Sequence, residues 1–310
     1  MFWSIGQHEQ KKDALRKKHM NYDGTAHVIK TEGTTYERAH IAKLLEVCSQ
    51  YEGLDFPFPV EEMQSQPGDR PGLLLYYQDE TLLGFAYLQY GSELEVYGMV
   101  HPDYRRKGIG MALFQAAQVI SRQIGAKRLL LVCDSASTAG RAFAEAVGGT
   151  YHFSEHQMKL DTNNIKRPPV WHPYLQFRRA ESAEAPIIAH LIARSFGDPE
   201  EEVADWVAAD ILKANQRFFL ASLQAQPIGT LRTVSSGQQV DIAAFGVLPD
   251  YRGQGYGRQM LLSIVDLLLQ EDWQRIGLDV ETENDNALGL YQACGFYVTR
   301  TYDYYQIMER

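Results

Sequence analysis

The chain has 310 residues, with 45% hydrophobic and 22% charged content, a profile that excludes a disordered or fibrous protein. At about 100–200 residues per domain, that length predicts two domains, each with its own core. A net charge of -9 argues against a nucleic-acid partner, whose affinity rests on Lys and Arg neutralising phosphate, and is compatible with a cationic substrate such as an amine.

Residues 1–24 read as an N-terminal extension. Its opening MFWSIGQHEQ lacks the basic start and apolar stretch of a secretory signal, and no apolar run approaches the about 20 residues a bilayer span needs. No membrane contact is expected. Lys11, Lys12, Arg16, Lys17 and Lys18 are placed on one solvated face of a helix. Cys48, Cys133 and Cys294 are too few and too scattered for a disulfide framework or a zinc site. The expectation is three reduced thiols, no metal and a cytoplasmic protein.

From residue 26 the pattern becomes regular. A strand over 26–31 leads to a helix over 35–51, and residues 73–90 form two strands around a Gln-Asp turn signal. A strand over 93–100 runs into VHPDYRRKGIG, followed by a helix over 110–125 and a short apolar strand, RLLLVCD. A helix and two final strands are expected to close this half. Residues 161–173, which include Pro168-Pro169, read as a linker. The series then repeats: strand 175–179, helix 182–196, hairpin 218–236, strand 240–247 into VLPDYRGQGYG, helix 257–272 and strand 275–280. This order predicts a mixed α/β layer fold, with helices packed on a mixed sheet.

The two glycine strings mark a duplication. Pro102 and Pro249, Gly108 and Gly255, and Gly148 and Gly295 are each separated by 147 residues (249 − 102). An offset held across each half means two copies of one domain, not a short-period solenoid. The copies are placed at 25–160 and 174–310.

Each glycine string lies between a strand and a helix. Gly108 and Gly110, or Gly255 and Gly257, lack a Cβ and allow close approach to the backbone. The first helix amides have no internal partner and carry the positive end of the helix dipole, which suits a phosphate. Arg105, Arg106, Lys107 and Arg252 add positive charge. Two other nucleotide motifs fit poorly. A Walker-type loop needs Lys-Ser/Thr after its last glycine, and Arg258-Gln259 and Met111-Ala112 fail that test. A dinucleotide fingerprint belongs after the first strand of a domain, whereas these glycines fall in mid-domain.

V-x-P-D-Y-R followed by x-x-Gly-x-Gly resembles the acyl-CoA-binding motif of the GNAT N-acetyltransferase superfamily. It occurs as Arg105-Arg106-Lys107-Gly108-Ile109-Gly110 and as Arg252-Gly253-Gln254-Gly255-Tyr256-Gly257. The second half adds Asn284-Asp-Asn-Ala287, Leu290-Tyr291 and Gly295-Phe296, which resemble the family's later motif. The tandem arrangement is similar to that of mycothiol-synthase-like members. The resemblance implies two GNAT-like domains and acetyl-CoA as acyl donor. Its pyrophosphate would sit on the amides of 252–257, and its pantetheine arm would bond to backbone at Phe245, Gly246 and Val247 (Val100 in the first half). Acetyl transfer to an amine needs a base, an oxyanion donor and an acid for the departing thiolate. Tyr291 matches the family's acid. Asn284 positions the cofactor arm or caps a helix starting near Asn286, and both readings stand. Asp241, out of character in a strand, is the base candidate, with a solvated strand start as the alternative. The amide near Val247 is expected to meet the oxyanion.

The first half departs from the motif. At the 147-residue offset, Ser137 stands for Asn284, Ala144 for Tyr291 and Gly149 for Phe296. Weak or absent coenzyme binding and little turnover are expected there. The activity expected is therefore acetyl-CoA-dependent N-acetylation of a small-molecule amine or a peptide by the second domain, with a catalytically idle acyl-CoA sensor as the alternative. Glu200-Glu201-Glu202 could attract a cationic amine or simply begin a helix. The two halves could pack as an internal pseudo-dimer in a monomer, or the chain could form a homodimer.

Overall fold

The computed structural model describes residues 20–22, 26–31, 34–54, 70–91, 93–167 and 171–308. The Lys11–Lys18 run and most of the segment after the first helix lie outside them. The chain divides into two compact units, Met1–Ser154 with Tyr302–Arg310, and Glu155–Thr301.

The first unit contains β1 (Met20–Tyr22), β2 (Ala26–Thr31), α1 (Thr35–Glu52), β3 (Leu73–Gln78), β4 (Thr81–Tyr90), β5 (Leu94–Val100), α2 (Ile109–Ile124), β6 (Leu129–Asp134), α3 (Thr138–Ala146) and the start of β7 (Gly149–Leu160). Thr34 begins α1 with a capping box: its hydroxyl accepts from the Glu37 amide, and its own amide donates to the Glu37 carboxylate. Gly53, at φ 66°, ends the helix in the left-handed conformation that only glycine adopts without strain. Strands β1 to β5 pair antiparallel in sequence order, and β5 then pairs parallel with β6 over Leu94–Tyr97 and Leu129–Val132. Alternation along β3 feeds two cores. Leu73 and Leu75 pack with Ile41, Leu44 and Leu45 of α1, while Leu74 packs with Leu113, Ala117 and Ile120 of α2. The sheet is thus covered on both faces.

The second unit repeats the plan with the end of β7, then β8 (Leu175–Arg179), α4 (Ala185–Phe196), α5 (Glu200–Asp210), β9 (Gln216–Leu223), β10 (Gln226–Ser236), β11 (Gln239–Val247), α6 (Tyr256–Leu269), β12 (Arg275–Glu281), α7 (Asp285–Ala293) and most of β13 (Phe296–Ile307). Phe218 and Leu220 of β9 face α4 and α5, while Phe219 between them faces α6. β11 pairs antiparallel with β10 and parallel with β12, so the mixed sheet expected from the sequence is present in both copies.

Each copy closes with one strand, where two were expected. β7 and β13 each run 12 residues without a break. Beyond the opening glycine of the first, GTYHFSEHQMKL and FYVTRTYDYYQI contain no glycine, proline or asparagine to make a tight turn, and the two polar candidates, Ser154 and Asp303, are buried and bonded to each other. The end of β13 serves the first unit, pairing Tyr302–Ile307 with Asp134–Leu129 of β6. The end of β7 serves the second, pairing Glu155–Lys159 with Glu281–Gly277 of β12.

Candidate active site

The two parallel strands of the second unit part before they end. Their pairing stops at Ile242 and Leu278, whereas β11 continues to Val247 and β12 to Glu281. Backbone groups of Phe245, Gly246 and Val247 therefore border a gap on the β12 side. A bulge prepares this edge. Two steps on β10, from Thr230 to Arg232, oppose three on β11, from Gly246 to Ala243, and Ala244 takes φ 46° to absorb the extra residue. In the first unit the pairing also stops, at Tyr97 and Val132, but β5 stays in unbroken register with β4 from Leu94 to Val100. Only the second copy carries the bulge.

After β11 the chain makes the turn Pro249–Tyr251 and reaches the glycine loop. Gly253 at φ 73° and Gly255 at φ 86° bend it so that α6 begins at Tyr256. The first copy matches closely, with Arg106 at φ 61° and Gly108 at φ 87° before Ile109. The other glycines serve packing. A Cβ on Gly257 would touch Leu290, Phe245 and Val247 at 3.6 Å, and one on Gly110 would meet the Phe143 ring at 3.0 Å. Tyr256 and Ile109 are buried in the core, leaving their backbone to the loop. Gln254 turns back to donate to the Asp250 carbonyl, and Lys107 lies over the Tyr104 ring at 4.6 Å.

Two of the arginines that add charge to the loop, Arg252 and Arg105, also brace it. Arg252 donates through Nε to the Val247 carbonyl at 2.9 Å and through Nη2 to the Ser195 carbonyl at 2.6 Å. Arg105 donates to the Val100 carbonyl and pairs with Glu52. Backbone carbonyls leave the Arg252 charge uncancelled, whereas Glu52 neutralises Arg105.

Tyr291 lies in the last turns of α7, buried, with its ring 6.2 Å from that of Phe245 and 6.4 Å from that of Phe296. Burial alone pushes its pKa up to about 12. Its hydroxyl makes no hydrogen bond among the described residues. Asn284 caps α7, accepting from the Ala287 amide at 3.1 Å through Oδ1, so the capping reading holds and the side-chain NH2 remains a donor. Asp241 lies apart from this group. It stands four residues before Phe245, about 13 Å along a strand, and its carboxylate is 3.6 Å from Arg275 Nη2.

Two residues escaped sequence reasoning. Ser195, near the end of α4, presses against Gly246, and its buried Oγ has no hydrogen-bond partner. Only its alignment with Cys48 at the 147-residue offset hints at a shared position. His172, from the expected linker, packs on Tyr256 with ring centroids 4.5 Å apart and planes tilted by 49°, and its Nε2 is 3.2 Å from where a Gly255 Cβ would stand. Gln259 holds it there by accepting from its amide at 2.8 Å. Its neighbours Pro168-Pro169 and Trp171 gave no signal beyond a linker. Among the described residues no cluster of His, Cys, Asp or Glu suits a metal ion, and no helix is long and apolar enough to cross a membrane.

A strand edge opened by a bulge, a glycine loop at a helix start and a buried tyrosine beside that edge come together in the second unit. The Acetyltransferase (GNAT) family profile matches the chain twice, over residues 39–148 and 185–296. The chain belongs to the GNAT family as a tandem member and is an N-acetyltransferase. It is 27% identical over 239 residues to the mycothiol acetyltransferase of Thermobispora bispora, covering 72% of this chain and 79% of that protein. It is also 27% identical over 274 residues to the mycothiol acetyltransferase of Thermomonospora curvata, covering 83% and 89%. Among solved structures, the GCN5-related N-acetyltransferase of Sphaerobacter thermophilus superposes with a TM-score of 0.75 at 18% identity, covering 90% of this chain and 95% of that one. A tandem GNAT protein from the clavulanic acid biosynthesis pathway gives 0.65 at 14% identity, covering 89% and 96%. At those identities the likeness is one of fold.

Proposed function

We propose that the second unit moves an acetyl group from acetyl-CoA to a primary amine of a small molecule or peptide. The observation that carries this reading is Tyr291, whose ring is buried beside the open edge of β11 while its hydroxyl has no hydrogen-bond partner among the described residues. The donor supplies an acetyl group activated as a thioester. The fit to this chain rests on three features: the backbone of Phe245–Val247, not paired with β12, the left-handed Gly253 and Gly255 before α6, and the orphaned Ser195 Oγ against Gly246.

On this reading the β11 edge takes the pantetheine arm much as a sheet takes an added strand. The amides of 253–257 and the dipole of α6 take the diphosphate, aided by the charge of Arg252. The Asn284 NH2 and the Ser195 hydroxyl donate to the arm. A backbone amide beside the Ala244 bulge faces the carbonyl oxygen as it gains charge. Tyr291 gives its phenolic proton to the departing sulfur. Asp241 is not assigned the base role, because it stands far from Phe245 and its carboxylate already faces Arg275. Two of the chain's relatives are the mycothiol acetyltransferases of Thermobispora bispora and Thermomonospora curvata. At 27% identity the acceptor is proposed only as a primary amine.

The test is thiol release on incubation with acetyl-CoA and a panel of amines, run with the native chain and with Tyr291→Phe. Amine-dependent release that the substitution abolishes supports the reading. Coenzyme binding without release from any amine overturns it and leaves a binding module.

A further inference from the structure

In the first unit the parting strands are bridged. Arg105 follows β5 and Ser137 follows β6, so the two residues stand at the ends of the strands that separate beyond Tyr97 and Val132. Glu52, the last residue of α1, bonds both. One carboxylate oxygen accepts from Arg105 Nη2 at 2.5 Å, and the other accepts from Ser137 Oγ at 2.7 Å. Its side chain is only 12% exposed, so the carboxylate lies within the structure and not on its rim. Each contact has a counterpart in the second unit, and there the bridge is missing. Arg252 reaches the Ser195 carbonyl; Asn284, like Ser137, caps the helix that follows it; and the residue at the offset position of Glu52 is Pro199, which has no polar side chain to join them.

The glycine loop does not distinguish the copies, because its backbone angles differ by only a few degrees at Gly108 and Gly255. Besides the bulge, the copies differ at the mouth of the cleft, where the first has Glu52 and the second Pro199. We infer that Glu52 decides which copy takes coenzyme: its carboxylate spans the mouth of the first cleft, fills the path of the pantetheine arm and cancels the charge of Arg105. This inference rests on the acyl-CoA reading of the second unit. On this inference the first copy keeps a phosphate-type loop and is expected to take no coenzyme. Charge adds to the block, since a carboxylate beside the loop opposes an incoming diphosphate.

The test is calorimetric titration of the full-length chain with coenzyme A, comparing the native protein with Glu52→Ala and with Glu52→Gln, which has the same size and is expected to fold. The native chain is expected to bind one equivalent and Glu52→Ala two, with turnover unchanged because the second unit is untouched. Glu52→Gln loses the ion pair but keeps an acceptor for Ser137, and its second site is expected to be at least about tenfold weaker than that of Glu52→Ala. Two equivalents in the native chain overturn the inference, as does a single equivalent in both folded variants, and either result leaves the second-unit reading standing. No binding by any of the three overturns that reading and this inference with it.

Discussion

The rings of Tyr291 and Phe245 lie 6.2 Å apart at 40°, one on α7 and the other on the stretch of β11 not paired with β12. That contact fixes the phenol against the strand edge while leaving its hydroxyl without a hydrogen-bond partner among the described residues. Tyr291→Phe keeps the ring packing and removes only the proton donor. Turnover is expected to fall by about 10²-fold or more, with coenzyme affinity changed by less than about twofold. Thiol-release kinetics and calorimetry on the same preparation check both halves of the statement.

The same burial sets a pH dependence. Tyr291 is raised from 10.0 to about 12 by desolvation, so folding disfavours its ionised form. Stability from this group is intact below about pH 10 and is lost as pH rises through about 12. A shift of this size is worth roughly 2–3 kcal/mol. Urea unfolding at pH 9 and pH 12 is expected to show a larger loss for the native chain than for Tyr291→Phe. In kinetics, no alkaline decline assignable to this tyrosine is expected below about pH 11.

Gly246 and Gly253 are expected to respond differently to alanine. A Cβ at Gly246 would lie 2.6 Å from Ser195 Cβ, so α4 would have to move off β11, at a cost of about 1–3 kcal/mol and with loss of coenzyme affinity. Gly253 has open space around it, and its counterpart Arg106 already adopts φ 61°. Gly253→Ala is expected to cost only about 1 kcal/mol. Denaturation midpoints of the two variants make the comparison.

Ser195→Ala tests the orphaned hydroxyl. A buried polar atom without a partner costs stability, so its removal is expected to leave the melting temperature unchanged or raised. A rise in KM for acetyl-CoA of about threefold or more, with no loss of fold, separates a ligand contact from a packing role.

Cutting the chain at the expected linker is expected to damage the first unit. A fragment ending at residue 160 lacks Tyr302–Ile307, which pair with β6 and bury Tyr304, Tyr305 and Ile307. Residues 1–154 joined to 302–310 by a flexible link should melt cooperatively, whereas 1–160 alone should not. Circular dichroism on heating distinguishes them.

Much of this architecture was legible in the residues. The 147-residue offset, the capping signal at Thr34 and the apolar alternation in β3 and β9 are local patterns, and local backbone preference turns each into a helix, strand or turn. The glycine loop and Tyr291 were legible for the same reason, since loop conformation and helix position follow from neighbours in sequence. The tertiary structure decided what depends on distant segments meeting. It set the arginines on backbone carbonyls, placed Ser195 and His172 at the site, turned Asp241 toward Arg275 and sent the end of β13 to the first unit. It also laid Glu52 across Arg105 and Ser137, positions 53 and 85 residues away in the chain. A carboxylate at the end of a helix says nothing by itself about its partner. Only packing chooses among the cations and hydroxyls within reach.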